Sequence, residues 1–247
     1  MVMKSPQELE AMLRAGKVVA HTLAALQEAI EPGMRTKDLD AIAETEIRSR
    51  GAVPSFIGYR GFPASLCVSI NEEIVHGIPG DKVIQEGDIV SMDVGAIVDG
   101  FHGDAAVTVG VGEVTPEAQR LIDTTRGALL AGIEAARSGA RLGDVSAAVQ
   151  ATAESRGYSV VREYVGHGIG RRMHEEPAVP NYGKPGRGIL LQEGMALAIE
   201  PMLNVGGWKT RLLEDNWTVV TEDGSLSAHF EHSIAITDAG PQVLTQL

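Results

Sequence analysis

The chain repeats itself at long range, and that repeat limits the folds open to it. "PGMRTKDLDAIAETEIRSRG" at 32–51 lies beside "SGARLGDVSAAVQATAESRG" at 138–157. Gly33, Arg35, Asp38 and Ser49-Arg50-Gly51 return as Gly139, Arg141, Asp144 and Ser155-Arg156-Gly157, each shifted by 106 residues. "QEGDIVSMD" at 85–93 returns as "QEGMALAIE" at 192–200, shifted by 107, so Asp93 is matched with Glu200. Two matches in the same order at nearly equal offsets describe a duplication. No linker or low-complexity stretch separates the halves. We therefore expect one domain over 1–247, with an internal repeat of roughly 5–111 and 115–247 and pseudo-twofold symmetry.

Each half carries the same order of elements. Ser5-Pro6-Gln7-Glu8 has the spacing of a capping box with proline in the first turn. It predicts a helix to about residue 30, stopping at Glu31-Pro32-Gly33. A second helix is predicted over 36–50, then strands from about 52 to 111. Thr115-Pro116-Glu117 opens a third helix, 138–157 carries a fourth, and strands return from 158 onward. The expected class is α/β (α+β), with two helix-helix-strand halves around a central antiparallel sheet. A chain of 247 residues, 44% of them hydrophobic, can bury a core of that size.

Carboxylates are rarely buried unless paired or metal-bound, yet "SMDVGAIVDGFHGDAAVTV" at 91–109 holds Asp93 and Asp104 inside strand-like runs. Asp99-Gly100 between those runs predicts a two-residue hairpin turn. Gly95 then faces Asp104 and Asp93 faces Ala106, so the two acids are diagonal neighbours on one face, with Cβ atoms roughly 7 Å apart. Asp99 lies in the turn and is read as a turn former. Two anions closing on a buried face repel unless a proton or a cation lies between them.

Other residues join them. Glu200 holds the position of Asp93 in the second half. Glu231, in "HFEHSIAIT" at 229–237, lies on the strand face opposite Phe230, Ile234 and Ile236. His167 sits between glycines in "VGHGIG". Four carboxylates and one imidazole suit two divalent ions, the arrangement in which a shared water becomes a nucleophile near neutral pH. The segment "MHEEPAV" at 173–179 is not the HExxH zinc motif, because Ala178 stands where the second histidine is needed and Pro177 is unfavourable in a helix.

Charge narrows the partners. With 21 basic and 33 acidic side chains the net charge is −12, which argues against nucleic acid as the main ligand. A local basic patch docking onto RNA stays compatible with it. A single cysteine, Cys67, forbids an internal disulfide. "MVMKSPQELE" carries no apolar signal region, and no run reaches the ~18 apolar residues of a membrane span. A cytoplasmic monomer is expected.

The motifs "INEEIVHGIP" (70–79), "DIVSMDV" (88–94), "DGFHGDAA" (99–106), "GHGIG" (166–170), "MHEEPAVPNYG" (173–183), "LAIEPM" (197–202) and "DNWTVVTEDGSLSAHFEHSI" (215–234) span nearly the whole chain. In them the sequence resembles the bacterial type I methionine aminopeptidases. The resemblance implies the pita-bread fold and removal of the initiator methionine from nascent chains whose second residue is small. It also implies two divalent metal ions, of Co, Mn, Fe, Ni or Zn, and action near the ribosomal exit tunnel. By resemblance Asp104 and Glu231 bridge both metals, Asp93 completes one ion, and His167 and Glu200 complete the other. Glu200 also shuttles the proton of the attacking water, His174 polarises the scissile carbonyl, and His76 assists the leaving amine. The methionine pocket implied includes Tyr59, Phe62, Cys67, His76, Met173 and Trp217, and His174 is a further substrate-binding residue beside it. Phe56 and Met173 stand where better-known relatives carry Cys and Phe, and His229 stands where they usually carry Gln. We expect His229 on the same strand face as Glu231.

The remaining histidines have plainer readings: His21 as a helix-face residue, His232 as structural, and His102 as at most a support behind the site. Cys67 reads as a small pocket-lining hydrophobe, since no Cys-His-Asn set accompanies it. Three rival functions fit the sequence less well. A proline-specific aminopeptidase or dipeptidase usually carries a further N-terminal domain, whereas only about 50 residues of helix precede the first strand here. A non-catalytic peptide-binding module of the same fold would not keep all five ligand positions. A dinuclear phosphoesterase would need basic residues clustered beside the acids.

Overall fold

A computed structural model of the chain describes residues 3–247. Its helices start where the local chemistry dictates. In α1 (Pro6–Ala29) the Glu8 N–H donates to Ser5 Oγ and the Glu8 carboxylate accepts the Ser5 N–H at 2.9 Å, which closes the capping box. In α2 (Thr36–Ser49) and α4 (Leu142–Glu154) the repeat reappears as one device. Asp38 accepts the Arg35 N–H at 2.9 Å, and Asp144 accepts the Arg141 N–H at 2.7 Å. Between them α3 (Pro116–Ala135) is capped by Thr115.

The first-half strands are β1 (Val53–Pro54), β2 (Leu66–Ile70), β3 (Glu73–Val75), β4 (Ile89–Val98) and β5 (Phe101–Gly110). The second half adds β6 (Ser159–Val160), β7 (Gly166–Gly168), β8 (Glu175–Val179), β9 (Ala196–Ile199), β10 (Met202–Asn204) and β11 (Thr210–Leu212). It closes with β12 (Val219–Thr221), β13 (Ser227–His229), β14 (Glu231–Thr237) and β15 (Gly240–Val243). Nine strands form one antiparallel sheet, ordered β1-β4-β5-β14-β9-β7-β8, with β2 also on β4 and β15 on β14.

The duplication is visible in the backbone. Gly33 and Gly139 have φ of 94° and 87°, and Gly87 and Gly194 have 86° and 85°. The isolated bridge Arg35–Val83 has its counterpart in Arg141–Leu190. Each half also has its own hydrophobic core. Leu26, Leu39, Ile47, Leu66 and Met92 pack under α1 and α2, while Leu121, Leu129, Val145, Leu197 and Ile199 pack under α3 and α4. The halves join where β5 meets β14, with Glu231 opposite Ala106 and His232 opposite Ala105.

Close approach of α1 to the sheet needs glycine. A Cβ on Gly103 would lie 2.7 Å from the Gly16 nitrogen, and one on Gly16 would lie 2.2 Å from the Leu244 carbonyl oxygen. One expectation is corrected here. His229 ends β13, which pairs with β10, whereas Glu231 opens β14 in the main sheet. The chain breaks at Phe230, whose N–H donates to the Pro201 carbonyl instead of a ladder partner. His229 and Glu231 therefore approach one another from two different sheets.

Candidate active site

The β4–β5 hairpin has the register its turn demands, Gly95 opposite Asp104 and Asp93 opposite Ala106. Asp99 and Gly100 turn the chain with φ of 51° and 77°. The Asp99 side chain points outward and pairs with Arg14 at 2.6 Å, so it shapes the hairpin away from the acids. Asp104 is buried, and its backbone is locked by Ser233, whose Oγ accepts the Asp104 N–H at 3.0 Å and whose hydroxyl donates to the Asp104 carbonyl at 2.8 Å.

Glu231 lies across the seam on β14, also buried. Glu200 lies just past the end of β9, and Pro201, which has no N–H, follows it. His167 sits on β7 beside Ala198 of β9. Its flanking glycines are sterically required, since a Cβ on Gly166 would lie 2.4 Å from the Ala198 oxygen and one on Gly168 2.3 Å from the Glu176 oxygen. His167 Nδ1 is 2.9 Å from the Gly168 carbonyl, which places the proton there and turns Nε2 toward the acids. That Nε2 is 3.6 Å from Glu200 Oε1 and 3.9 Å from Asp104 Oδ2.

Two donor triads share Glu231. In each of Asp104–His167–Glu231 and Glu200–His229–Glu231, the potential ligand atoms lie within 4.8 Å of one another. Asp93 belongs to neither triad but stands one diagonal step from Asp104. Asp93 Oδ1, Asp104 Oδ1 and Glu231 Oε1 are buried without a hydrogen-bond partner. Burial pushes Asp93 up to about 7 and Glu200 up to about 8. Burial, then neighbouring carboxylates, raise Asp104 and Glu231 well above the usual range. Burial lowers His167 to about 4, so its ring is neutral near pH 7. Neutral imidazoles cannot balance four carboxylates. Orphaned buried oxygens around a common centre, with a neutral imidazole, are the donor set that divalent cations take.

Above the acids lies a cavity of about 330 Å³, lined by Tyr59, Phe62, Cys67, His76, Met173, His174 and Trp217, the seven substrate-binding residues expected. Phe56 joins them, packing edge-on to Phe62 with ring centres 6.4 Å apart. Cys67 pairs with Asp93 in the β2–β4 ladder, and burial raises its thiol, which suits a packing role. His76 has φ of 62° and sits between Tyr164 and Trp217, at 5.8 and 6.3 Å between ring centres. Burial lowers it to about 4. His174 stands at the mouth, its Nδ1 2.8 Å from the Tyr59 hydroxyl and its ring 4.3 Å from that of His167. Sequence reasoning missed Arg60, Val75, Tyr164 and Val165 in the cavity wall. Only Tyr164 left a signal, three residues before His167 in "EYVGHG".

A model of metallopeptidase family M24 matches residues 10–238, across both halves and every acid of the site. The chain belongs to family M24. Within M24 its relatives are methionine aminopeptidases. That of Clostridium acetobutylicum is 54% identical over 99% of this chain and 98% of its own. Methionine aminopeptidase 1 of Bacillus subtilis is 50% identical over 100% and 99%. The crystal structure of the Thermotoga maritima methionine aminopeptidase superposes with a TM-score of 0.99 at 48% identity, covering 100% of both chains. The M24 fold here is thus the pita-bread fold, with four helices around a curled antiparallel sheet.

The remaining histidines of this M24 chain hold structural positions. His21 is exposed on α1, His232 Nδ1 is 2.8 Å from Thr245 Oγ1, and His102 Nδ1 is 2.9 Å from Ser55 Oγ. A second feature invisible in sequence braces the loop that carries His174. Lys4 Nζ lies 2.7 Å from Glu175 Oε2, with side-chain exposures of 4% and 9%, and the Arg172 N–H donates to Glu175 Oε1. Lys4→Met leaves Glu175 without its cation in a buried place. We expect a loss of about 3 kcal/mol, read as a lower Tm and urea midpoint. An unchanged midpoint would show that the pair contributes nothing.

Proposed function

We propose that this chain is a metal-dependent aminopeptidase that removes the initiator methionine from nascent polypeptides when the second residue is small. The observation that carries this reading is the convergence of four carboxylates, Asp104 and Glu231 buried and Asp93 and Glu200 half-buried, with a neutral imidazole at the floor of a cavity of about 330 Å³ walled by aromatic and sulfur side chains. Two divalent ions, from among Co, Mn, Fe, Ni and Zn, would be held by Asp104 and Glu231 between them, by Asp93 on one side, and by His167 and Glu200 on the other. Such ions supply activation of a water and polarisation of a carbonyl near neutral pH.

The chain's own residues do the rest. The substrate's free α-amine docks on the Asp93 side. The thioether enters the cavity among Tyr59, Phe62, Cys67, Met173 and Trp217, where aromatic and sulfur neighbours suit a polarisable group. His174 is neutral at neutral pH, because burial and Arg60 lower its pKa. With Tyr59 donating to its Nδ1, Nε2 carries the proton and donates to the scissile carbonyl. Glu200 accepts the proton of the attacking water, and His76 hydrogen-bonds near the scissile amide as the amine leaves. We read residues 5–111 and 115–247 as one catalytic domain, because the ligands come from both sides of the β5–β14 seam. No helix among the described residues is long and apolar enough to cross a membrane. We further read the chain as a cytoplasmic monomer that acts on polypeptides leaving the ribosome.

The test is peptide hydrolysis with and without chelator, on Met-Ala-Ser and on a Xaa-Pro peptide. Metal-dependent release of Met from the first alone supports the reading. Cleavage of the Xaa-Pro peptide would favour a proline-specific peptidase, and inertness with every divalent metal would favour a binding module.

Stability should report the same centre. Asp93 and Glu200 titrate near 7 and 8 in the folded chain against ordinary values of 3.8 and 4.5. The folded state therefore holds protons that the unfolded chain releases. This contribution is fully present below about pH 4 and is lost as pH rises through about 8. In EDTA, Tm is expected to fall from about pH 6 to about pH 8, and added Mn²⁺ should raise it more at the higher pH, where protons no longer compete for the ligands. A metal-induced shift independent of pH would contradict this.

A further inference from the structure

One imidazole among the acids has no part in the chemistry above. His229 is 1% exposed, and its Nε2 has no hydrogen-bond partner. Its backbone is fixed from both sides. The His229 N–H donates to Thr108 Oγ1 at 2.9 Å, and the Thr108 hydroxyl donates back to the His229 carbonyl at 2.7 Å. Thr108 Oγ1 is also 2.8 Å from Ser91 Oγ, so this small network satisfies the carbonyl and N–H of His229, while its ring Nε2 has no hydrogen-bond partner.

The ring faces Glu200, with Nε2 3.6 Å from Oε2. Glu200 thus stands between two imidazoles, its Oε1 lying 3.6 Å from His167 Nε2. Glu200, His229 and Glu231 bring donor atoms within 4.8 Å of one another, and Asp104, His167 and Glu231 do the same. The triads share Glu231, and each contains one ring nitrogen. A buried, unpartnered imidazole nitrogen is costly unless it meets a proton or a cation.

We propose that His229 Nε2 is a sixth protein ligand of the dinuclear centre, so that the two ions together carry two imidazoles, His167 and His229. The proposal rests on the reading of the site as a two-metal centre. Its consequence is selectivity. Imidazole suits Co, Ni and Zn, whereas a site of carboxylates suits Mn. A second ring nitrogen therefore shifts the centre toward the nitrogen-binding metals.

The test is X-ray absorption on the full chain loaded with two equivalents of Co²⁺, counting imidazoles by their outer-shell scattering. Wild type should show an average of one imidazole per ion, and His229→Gln one per two ions. In competition with a chromophoric chelator, His229→Gln should lose at least about tenfold in Co²⁺ and Zn²⁺ affinity and much less for Mn²⁺. One imidazole per two ions in wild type overturns the proposal, whatever the variant does, and leaves the two-metal reading intact. Uptake of only one Co²⁺ would refute the two-metal reading and this proposal with it.

Discussion

Asp104→Asn is expected to abolish turnover while stabilising the protein in chelator. The carboxylate is buried and lies in a triad with His167 and Glu231. An amide of the same shape offers one neutral oxygen and cannot bridge two cations. Loss of a partner one layer behind a metal typically costs 10–100-fold in affinity or activity. Removing a carboxylate that we propose is shared by two ions should therefore cost more than about 100-fold in kcat/KM. The fold should not suffer, because Asp104 is positioned through its backbone bonds to Ser233, which the substitution leaves intact. Without metal, the native carboxylate is a liability, held well above its usual pKa by burial and by Asp93 and Glu200. The amide relieves that repulsion. Above about pH 7 in EDTA, the variant should melt at a higher temperature than wild type, with a smaller upward shift on adding Mn²⁺. Full activity in this variant would sink the two-metal assignment, and a lower Tm in chelator would sink the electrostatic account.

His174→Ala is the second large effect. The ring stands at the cavity mouth, oriented by the Tyr59 hydroxyl at 2.8 Å. A donor placed on the scissile carbonyl acts as charge develops on the oxygen, and removing such a donor lowers kcat by about 10²–10³-fold. KM for Met-Ala-Ser should change little, since the thioether pocket is untouched, and metal stoichiometry should stay at the wild-type value. Tyr59→Phe should give a smaller loss in kcat, because the ring remains but its Nδ1 partner is gone. A His174→Ala variant that lost its metal instead would move this histidine from the carbonyl to the ligand set.

The sequence was most legible where a short-range rule controls geometry. Asp99-Gly100 defines a two-residue turn, and alternation along the strands then places Asp93 and Asp104 on one face. Ser5 with Glu8 closes the first helix start within three residues, so that helix could be placed without knowing its neighbours. Asp38 with Arg35 and Asp144 with Arg141 close theirs in the same way, but in the sequence they show only as a repeat. Residues whose role depends on packing from elsewhere were not legible. Lys4 and Glu175 are 171 positions apart, and no local pattern announces their pairing. Tyr164, Arg60, Val75 and Val165 line the cavity because separate loops and strands happen to close on it. His229 was placed on the wrong strand, because alternation was carried through Phe230, where the chain leaves one sheet for another.

The sequence by itself determined the two halves, the order of the four helices, the hairpin, and four acids and one imidazole as candidates for the centre. These follow from spacing, turn chemistry and a duplication, all properties of a chain read along its length. The tertiary structure alone decided how closely the halves meet at the β5–β14 seam, and therefore that Glu231 reaches Asp104 and that the orphaned Nε2 of His229 faces Glu200 from a different sheet. Such contacts arise from burial of two cores against one curled sheet, and the distances they set are what metal chemistry depends on.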